Sequence, residues 1–151
     1  MKARDLMTPN PKTCAPDHDL TCALRIMKEE DVGIVPITEG NGEARVVGVV
    51  TDRDASLHLG ERDKRPSEVR VSDVMTRRVV SVEPNGDVAE VSSKMQEAQV
   101  RRVLVVENGK LRGVISTADL ARASTTSGRD RVGEEVERVM EKVSEENPDR
   151  R

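Results

Sequence analysis

The sequence predicts a mixed α+β fold made of two tandem β-α-β-β-α units, on three observations. Arg4-Asp5-Leu6-Met7-Thr8 is echoed 68 positions later by Ser72-Asp73-Val74-Met75-Thr76, and Pro16, Asp19, Met27 and Val35 meet Pro84, Asp87, Met95 and Val103 at the same spacing. Further on, Gly48-Val49-Val50-Thr51-Asp52-Arg53-Asp54 matches Gly113-Val114-Ile115-Ser116-Thr117-Ala118-Asp119 at a spacing of 65. The change in spacing falls between Glu39-Gly40-Asn41-Gly42 and Glu107-Asn108-Gly109, where Asn and Gly supply the positive φ of a hairpin turn and length changes are tolerated.

Lys12-Thr13-Cys14 and Val79-Val80-Ser81-Val82 are the opening strand candidates of the two units. Just after Pro16 and Pro84, Asp17 and Asn85 are expected to cap helices through side-chain oxygens that accept backbone N–H bonds. Leu20, Ala23, Leu24 and Met27 then recur at i, i+3, i+4 and i+7, and Val88, Val91, Met95 and Ala98 form a similar stripe. The apolar runs Ile34-Val35-Pro36-Ile37 and Val46-Val47-Gly48-Val49-Val50 read as one β-hairpin, and Val103-Leu104-Val105-Val106 with Leu111-Arg112-Gly113-Val114-Ile115 as the other. Thr51 and Ser116 open the second helices.

The expected boundaries are 1–62 for the first unit, 63–70 for a charged linker, 71–123 for the second unit and 124–151 for a charged tail. In the tail Val132, Val136, Val139, Met140 and Val143 fall at helical spacing, an amphipathic helix expected to pack on its own domain, with a dimer interface as the alternative. One unit alone buries little surface. Two such sheets packed face to face would share a core and form a pseudo-two-fold module with two equivalent clefts.

Composition narrows function. Hydrophobic and charged residues each make up 35% of the 151 residues, and Phe, Trp and Tyr are absent, so the core is aliphatic. A net charge of −3 gives no overall footprint for nucleic acid, and the missing aromatics remove base-stacking platforms. No apolar run reaches the roughly 20 residues of a membrane span, and Met1-Lys2-Ala3-Arg4-Asp5 lacks a secretion-signal pattern, so a cytoplasmic location without membrane contact is expected. Cys14 and Cys22 lack C-x-x-C spacing and read as small apolar fillers, a disulfide being the minority reading. His18 and His58 pair with no obvious nucleophile and carry no His-x-x-x-His pattern, so neither a metal site nor an enzyme is expected.

Four features recur in order: an Asp-hydrophobic-Met-Thr opening, a Pro before the first helix, a hairpin with a hydrophobic tetrapeptide, and Gly-x-x-Thr/Ser-x-x-Asp at its end. Together they resemble the CBS-domain family over nearly all of 3–123. The arrangement also resembles short bacterial two-repeat proteins of the stress or hypoxic-response type. The resemblance implies a stand-alone Bateman module, often a homodimer, that regulates an effector protein by holding an adenine nucleotide (AMP, ADP or ATP) in the clefts between its two repeats. No cofactor is required on this reading. A structural or protein-interaction module without nucleotide, and a binder of S-adenosylmethionine, nucleic acid or a metal ion, are the alternatives.

Thr51-x-x-Asp54 and Ser116-x-x-Asp119 have the form of capping boxes, and a helix N-terminus also presents unpaired N–H groups that suit a phosphate. By the resemblance, Thr51 and Ser116 contact phosphate or ribose. Asp54 and Asp119 accept hydrogen bonds from the ribose 2′,3′-diol, a task that suits a carboxylate. Arg101-Arg102 resembles the basic pair that contacts phosphate in nucleotide-sensing CBS modules such as the gamma subunit of AMP-activated protein kinase. Gly33-Ile34 occupies the corresponding place in the first repeat, so the clefts are expected to differ in phosphate affinity. Arg53 adds charge that Ala118 lacks, although a solvated side chain is its simpler reading. The segments containing Lys12, Thr13 and Cys14, and Val80, Ser81 and Val82, are implied to form the adenine slot through their backbones.

Overall fold

Pairing and capping along the chain define, in order, helix α1 (Ala3–Leu6), strand β1 (Thr8–Pro9), α2 (Leu20–Glu30), β2 (Ile34–Glu39), β3 (Arg45–Thr51) and α3 (Asp52–Arg62). A 3-10 turn at Pro66–Glu68 leads to α4 (Val71–Val74), β4 (Ser81–Val82), α5 (Val88–Ala98), β5 (Arg102–Glu107), β6 (Lys110–Ser116) and α6 (Thr117–Thr126). The computed structural model describes residues 1–40, 44–126 and 137–142, the last of these helical. Of the expected tail stripe, Val132, Val136 and Val143 lie outside the described residues.

The predicted alternation of strand, helix, hairpin and helix is present twice, with two corrections. The expected strand Lys12-Thr13-Cys14 is a single bridge, Cys14 beside Ile37, in which Cys14 N–H donates to the Pro36 carbonyl and Thr38 N–H donates to the Cys14 carbonyl. Pro16, two residues on and on the same side of the chain, withholds the donor that would lengthen the ladder. Its counterpart β4 runs parallel to β5, with Ser81 opposite Leu104 and Val82 opposite Val105. The helix caps are Asp19 and Asp87, not Asp17 and Asn85: their carboxylates accept the N–H groups of Thr21 at 2.9 Å and Glu90 at 2.8 Å. A backbone turn after each proline region, His18 N–H to Ala15 C=O and Gly86 N–H to Glu83 C=O, takes up the residues that would otherwise start the helix. Asp31 and Gln99, each at φ 52°, end α2 and α5 in the left-handed conformation at matched positions. In the β5–β6 hairpin, Asn108 and Gly109 both take the predicted positive φ.

The chain forms two compact units, one of Asn10–Val79 with Asn108–Leu111, the other of Met1–Pro9, Val80–Glu107 and the described residues from Arg112 on. Each unit therefore receives the opening Asp-hydrophobic-Met-Thr segment of the other repeat. In place of the one shared core expected, each unit has its own, and the two use matching positions. The first unit buries Cys14, Ala23, Val35, Ile37, Val50, Ala55 and Val71; the second buries Val82, Val91, Val103, Val105, Ile115, Leu120 and Ala3. Ala3 and Val71 are the exchanged pair. Val139 joins the second core, so the 137–142 helix packs on its own unit.

This exchange explains the glycine of the Gly-x-x-Thr/Ser-x-x-Asp motif. In the first unit, β3 meets the opening segment of the second repeat through reciprocal hydrogen bonds between Val49 and Thr76, and a Cβ on Gly48 would lie 2.8 Å from the Thr76 carbonyl oxygen. In the second unit β1 pairs with β6, Thr8 opposite Val114, and a Cβ on Gly113 would lie 2.8 Å from the Thr8 carbonyl oxygen and 2.6 Å from the Met7 sulfur. Only a residue without a side chain admits that strand contact.

Candidate functional site

Thr51 ends β3 and caps α3. Its hydroxyl oxygen accepts the Asp54 N–H at 3.1 Å, and the Asp52 N–H donates to the Gly33 carbonyl at 3.0 Å. The second repeat has the same junction, in which the Thr117 N–H donates to the Arg101 carbonyl at 3.0 Å. Thr51 and Ser116 thus occupy equivalent helix starts.

The two motifs differ in what they leave unspent. Ser116 and Asp119 form a closed box: the Ser116 N–H and hydroxyl both donate to Asp119 Oδ2, at 2.7 and 2.9 Å, while the Asp119 N–H donates to the Ser116 hydroxyl oxygen at 3.2 Å. Arg122 pairs with the remaining carboxylate oxygen of Asp119, whose side chain is only 9% exposed. In the first repeat Thr51 does not return its hydroxyl proton to Asp54, and among the described residues the Asp54 carboxylate accepts no hydrogen bond. Leu57 stands where the second repeat has Arg122. A half-buried hydroxyl, an unpartnered carboxylate and the N-terminus of an 11-residue helix therefore meet at one place.

The remaining expected residues are distributed as follows. Arg53 is exposed on the first turn of α3, and Arg101 is exposed and Arg102 half-buried where β5 begins. Val82 is buried in its core and Val80 packs against it, the Val80 carbonyl accepting the Leu104 N–H. Cys14 spends both backbone groups on β2, which leaves the neighbouring Thr13 as the residue whose backbone faces away from that strand. Lys12 is exposed and turned toward α2, its ammonium 2.7 Å from Glu30, a hydrogen bond that raises its pKa above the usual lysine value.

The cysteines are not free fillers. Cys14 is buried as expected, yet it forms a disulfide with Cys22 on the first turn of α2. His18 lies beside them, and one donor atom from each of Cys14, His18 and Cys22 falls within 4.8 Å of the others. Neither the C-x-x-C nor the His-x-x-x-His pattern covers this cluster. The regular spacing Cys14-x-x-x-His18-x-x-x-Cys22 was the available signal.

Comparison with known proteins decides the lineage. The CBS domain family matches residues 3–61 and again 71–126. The chain belongs to the CBS-domain family. As a CBS pair it is a regulatory module by family. It is 38% identical over 128 residues to the uncharacterized protein YlbB of Bacillus subtilis, covering 85% of each chain. It is 33% identical over 121 residues to hypoxic response protein 1 of Mycobacterium tuberculosis, covering 80% of this chain and 82% of that one. The crystal structure of Hypoxic Response Protein I with two coordinated zinc ions superposes with a TM-score of 0.72 at 31% identity, covering 81% of this chain and 98% of that chain. That of CBSX2 in complex with AMP gives 0.71 at 29% identity, covering 85% and 98%. Among the described residues, no helix is long and apolar enough to cross a membrane.

Proposed function

We propose that this CBS pair is a non-catalytic sensor that binds an adenine nucleotide, AMP, ADP or ATP, and reports it through a conformational or dimer change to an effector protein in the cytoplasm. The observation that carries the reading is the unspent first-repeat motif. Asp54 offers a carboxylate with no partner among the described residues, shaped to accept two hydrogen bonds from a ribose diol. Thr51 keeps a hydroxyl proton to donate, and α3 directs its N-terminal N–H groups toward an anion. The AMP complex of the similar protein CBSX2 supports the choice of ligand.

In the second repeat the motif is closed, and the basic pair Arg101-Arg102 is the phosphate-binding element. The ligand regulates only if it binds one arrangement of the module more tightly than the other. Homodimerisation supplies the surface on which that difference is read.

The test is a set of thermal melts of the full chain with AMP, ADP, ATP and S-adenosylmethionine. At about 100 times its dissociation constant, a ligand specific for the folded state adds about 2.7 kcal/mol. For a chain of this size that is a rise in Tm of roughly 5–10 °C. A rise with an adenine nucleotide supports the reading, whereas a rise with S-adenosylmethionine alone, or none with any ligand, contradicts it.

A further inference from the structure

The first repeat departs from the second at three places that converge. Cys14, His18 and Cys22 stand where the second repeat has Val82, Gly86 and Glu90. Packing explains Cys14, since Val82 is buried in the same way. It does not explain His18, which is exposed where the sister position is a glycine, and Cys22 packs half-buried against the first core where its counterpart Glu90 is exposed. A histidine and a second cysteine have thus been brought beside Cys14 where the second repeat has neither, with donor atoms within 4.8 Å of one another.

We propose that Cys14, His18 and Cys22 form a redox-gated site for a thiophilic divalent cation of the zinc class: closed as the disulfide, and open to the metal once the disulfide is reduced. Two thiolates and one imidazole are the donor set such ions prefer. Tetrahedral bonds of about 2.3 Å to sulfur and 2.0–2.1 Å to nitrogen place the donor atoms roughly 3.5–3.8 Å apart. A disulfide holds its sulfurs closer than that, at about 2.0 Å, so metal and disulfide exclude each other. Reduction lets the sulfurs part toward that spacing, and all three donors already lie within 4.8 Å of one another.

The surroundings accommodate this change. His18 Nδ1 accepts the Ala15 N–H at 3.1 Å, and because the ring is exposed, turning it leaves that N–H to water at small cost. Cys22 lies on the first turn of α2, where the positive end of the helix dipole favours an anionic sulfur. An open cavity of about 700 Å³, lined by Thr13, Cys14, His18 and Thr38 among others, borders the cluster and gives water access to a fourth coordination position. The reaction balances with a dithiol as reductant. The dithiol gives two electrons and two protons to the Cys14–Cys22 bond and becomes a disulfide itself. The divalent ion then displaces two protons from the two thiols and binds both thiolates and His18.

The full chain is reduced with a dithiol, transferred to anaerobic dithiol-free buffer and titrated with Co2+ as a spectroscopic probe, beside the oxidised chain. The expected result is one equivalent bound by the reduced form, with near-ultraviolet sulfur-to-cobalt charge transfer that zinc abolishes by displacement, and no such signal from the oxidised form. Cys22→Ser removes the signal. His18→Ala weakens binding at least about tenfold, since losing a ligand costs no less than losing an outer-shell partner. Both variants are checked for cooperative melting, and His18→Ala, whose side chain is exposed, tests the site without touching the core. A reduced wild type without the charge-transfer band, or a His18→Ala variant with wild-type affinity, overturns the proposal. Neither result bears on nucleotide binding, which is read separately from the melts.

Discussion

Replacing the two motif aspartates one at a time should give opposite signatures. Asp119→Ala removes an acceptor shared by the Ser116 N–H and hydroxyl and the partner of Arg122. The Arg122 pair contributes little, because the arginine side chain is 72% exposed and its charge is screened. Most of the loss comes from the half-buried Ser116 N–H, left without its acceptor, and from the loss of an acidic side chain in the first turn of α6, together about 2 kcal/mol. For a chain of this size that lowers Tm by roughly 4–8 °C. Among the described residues Asp54→Ala breaks no side-chain hydrogen bond, although it loses a favourable charge at a helix N-terminus, so its cost is below about 1 kcal/mol. Affinity should follow the reverse order. Losing the ribose partner Asp54 weakens adenosine and AMP alike by about 1.5–3 kcal/mol, whereas Asp119→Ala changes adenosine affinity by less than about 0.5 kcal/mol. Parallel calorimetric melts and adenosine titrations on both variants measure the four quantities. Equal Tm losses, or a larger affinity loss in Asp119→Ala, would refute the distinction between an open and a closed motif.

Other expectations follow from single contacts. Arg102→Ala should weaken AMP by about 1.5–3 kcal/mol and leave adenosine unchanged, and equal losses for both would remove the phosphate role. Gly113→Ala places a methyl group against the Thr8 backbone and should cost about 1–3 kcal/mol in denaturant unfolding, with an unchanged midpoint as the contrary result. Reducing the Cys14–Cys22 bond frees a loop spanning a sequence separation of 8 and should cost about 2–3 kcal/mol by the chain-entropy account. A melt insensitive to reductant would contradict that.

The duplication was legible because the same opening, helix stripe and hairpin end recur, and the structure builds both cores from matched positions. The hairpin turn at Asn108-Gly109 followed from residues that tolerate positive φ. Helix starts were misplaced by two residues: Asp17 and Asn85 are good caps, but each proline region first closes a backbone turn, a competition that composition alone does not rank. The opening segments were expected within their own repeats. Their exchange depends on long-range packing, and its local trace is the glycine that begins each Gly-x-x-Thr/Ser-x-x-Asp motif. Asymmetry between the repeats is legible in Arg101-Arg102, and Arg122 adds to it by closing on Asp119 from three residues downstream. By residue type alone, Cys22 reads as a small apolar filler. It packs half-buried against the first core, yet its counterpart Glu90 is exposed, so the position tolerates a polar side chain.

Equilibrium dialysis of the full chain against AMP measures nucleotide binding itself, because it counts bound ligand without relying on stability or heat. Saturable excess AMP on the protein side, reduced at least about tenfold in affinity by Asp54→Ala, is the expected result. AMP at equal concentration on both sides up to the millimolar range, with wild-type chain that still melts cooperatively, would contradict it.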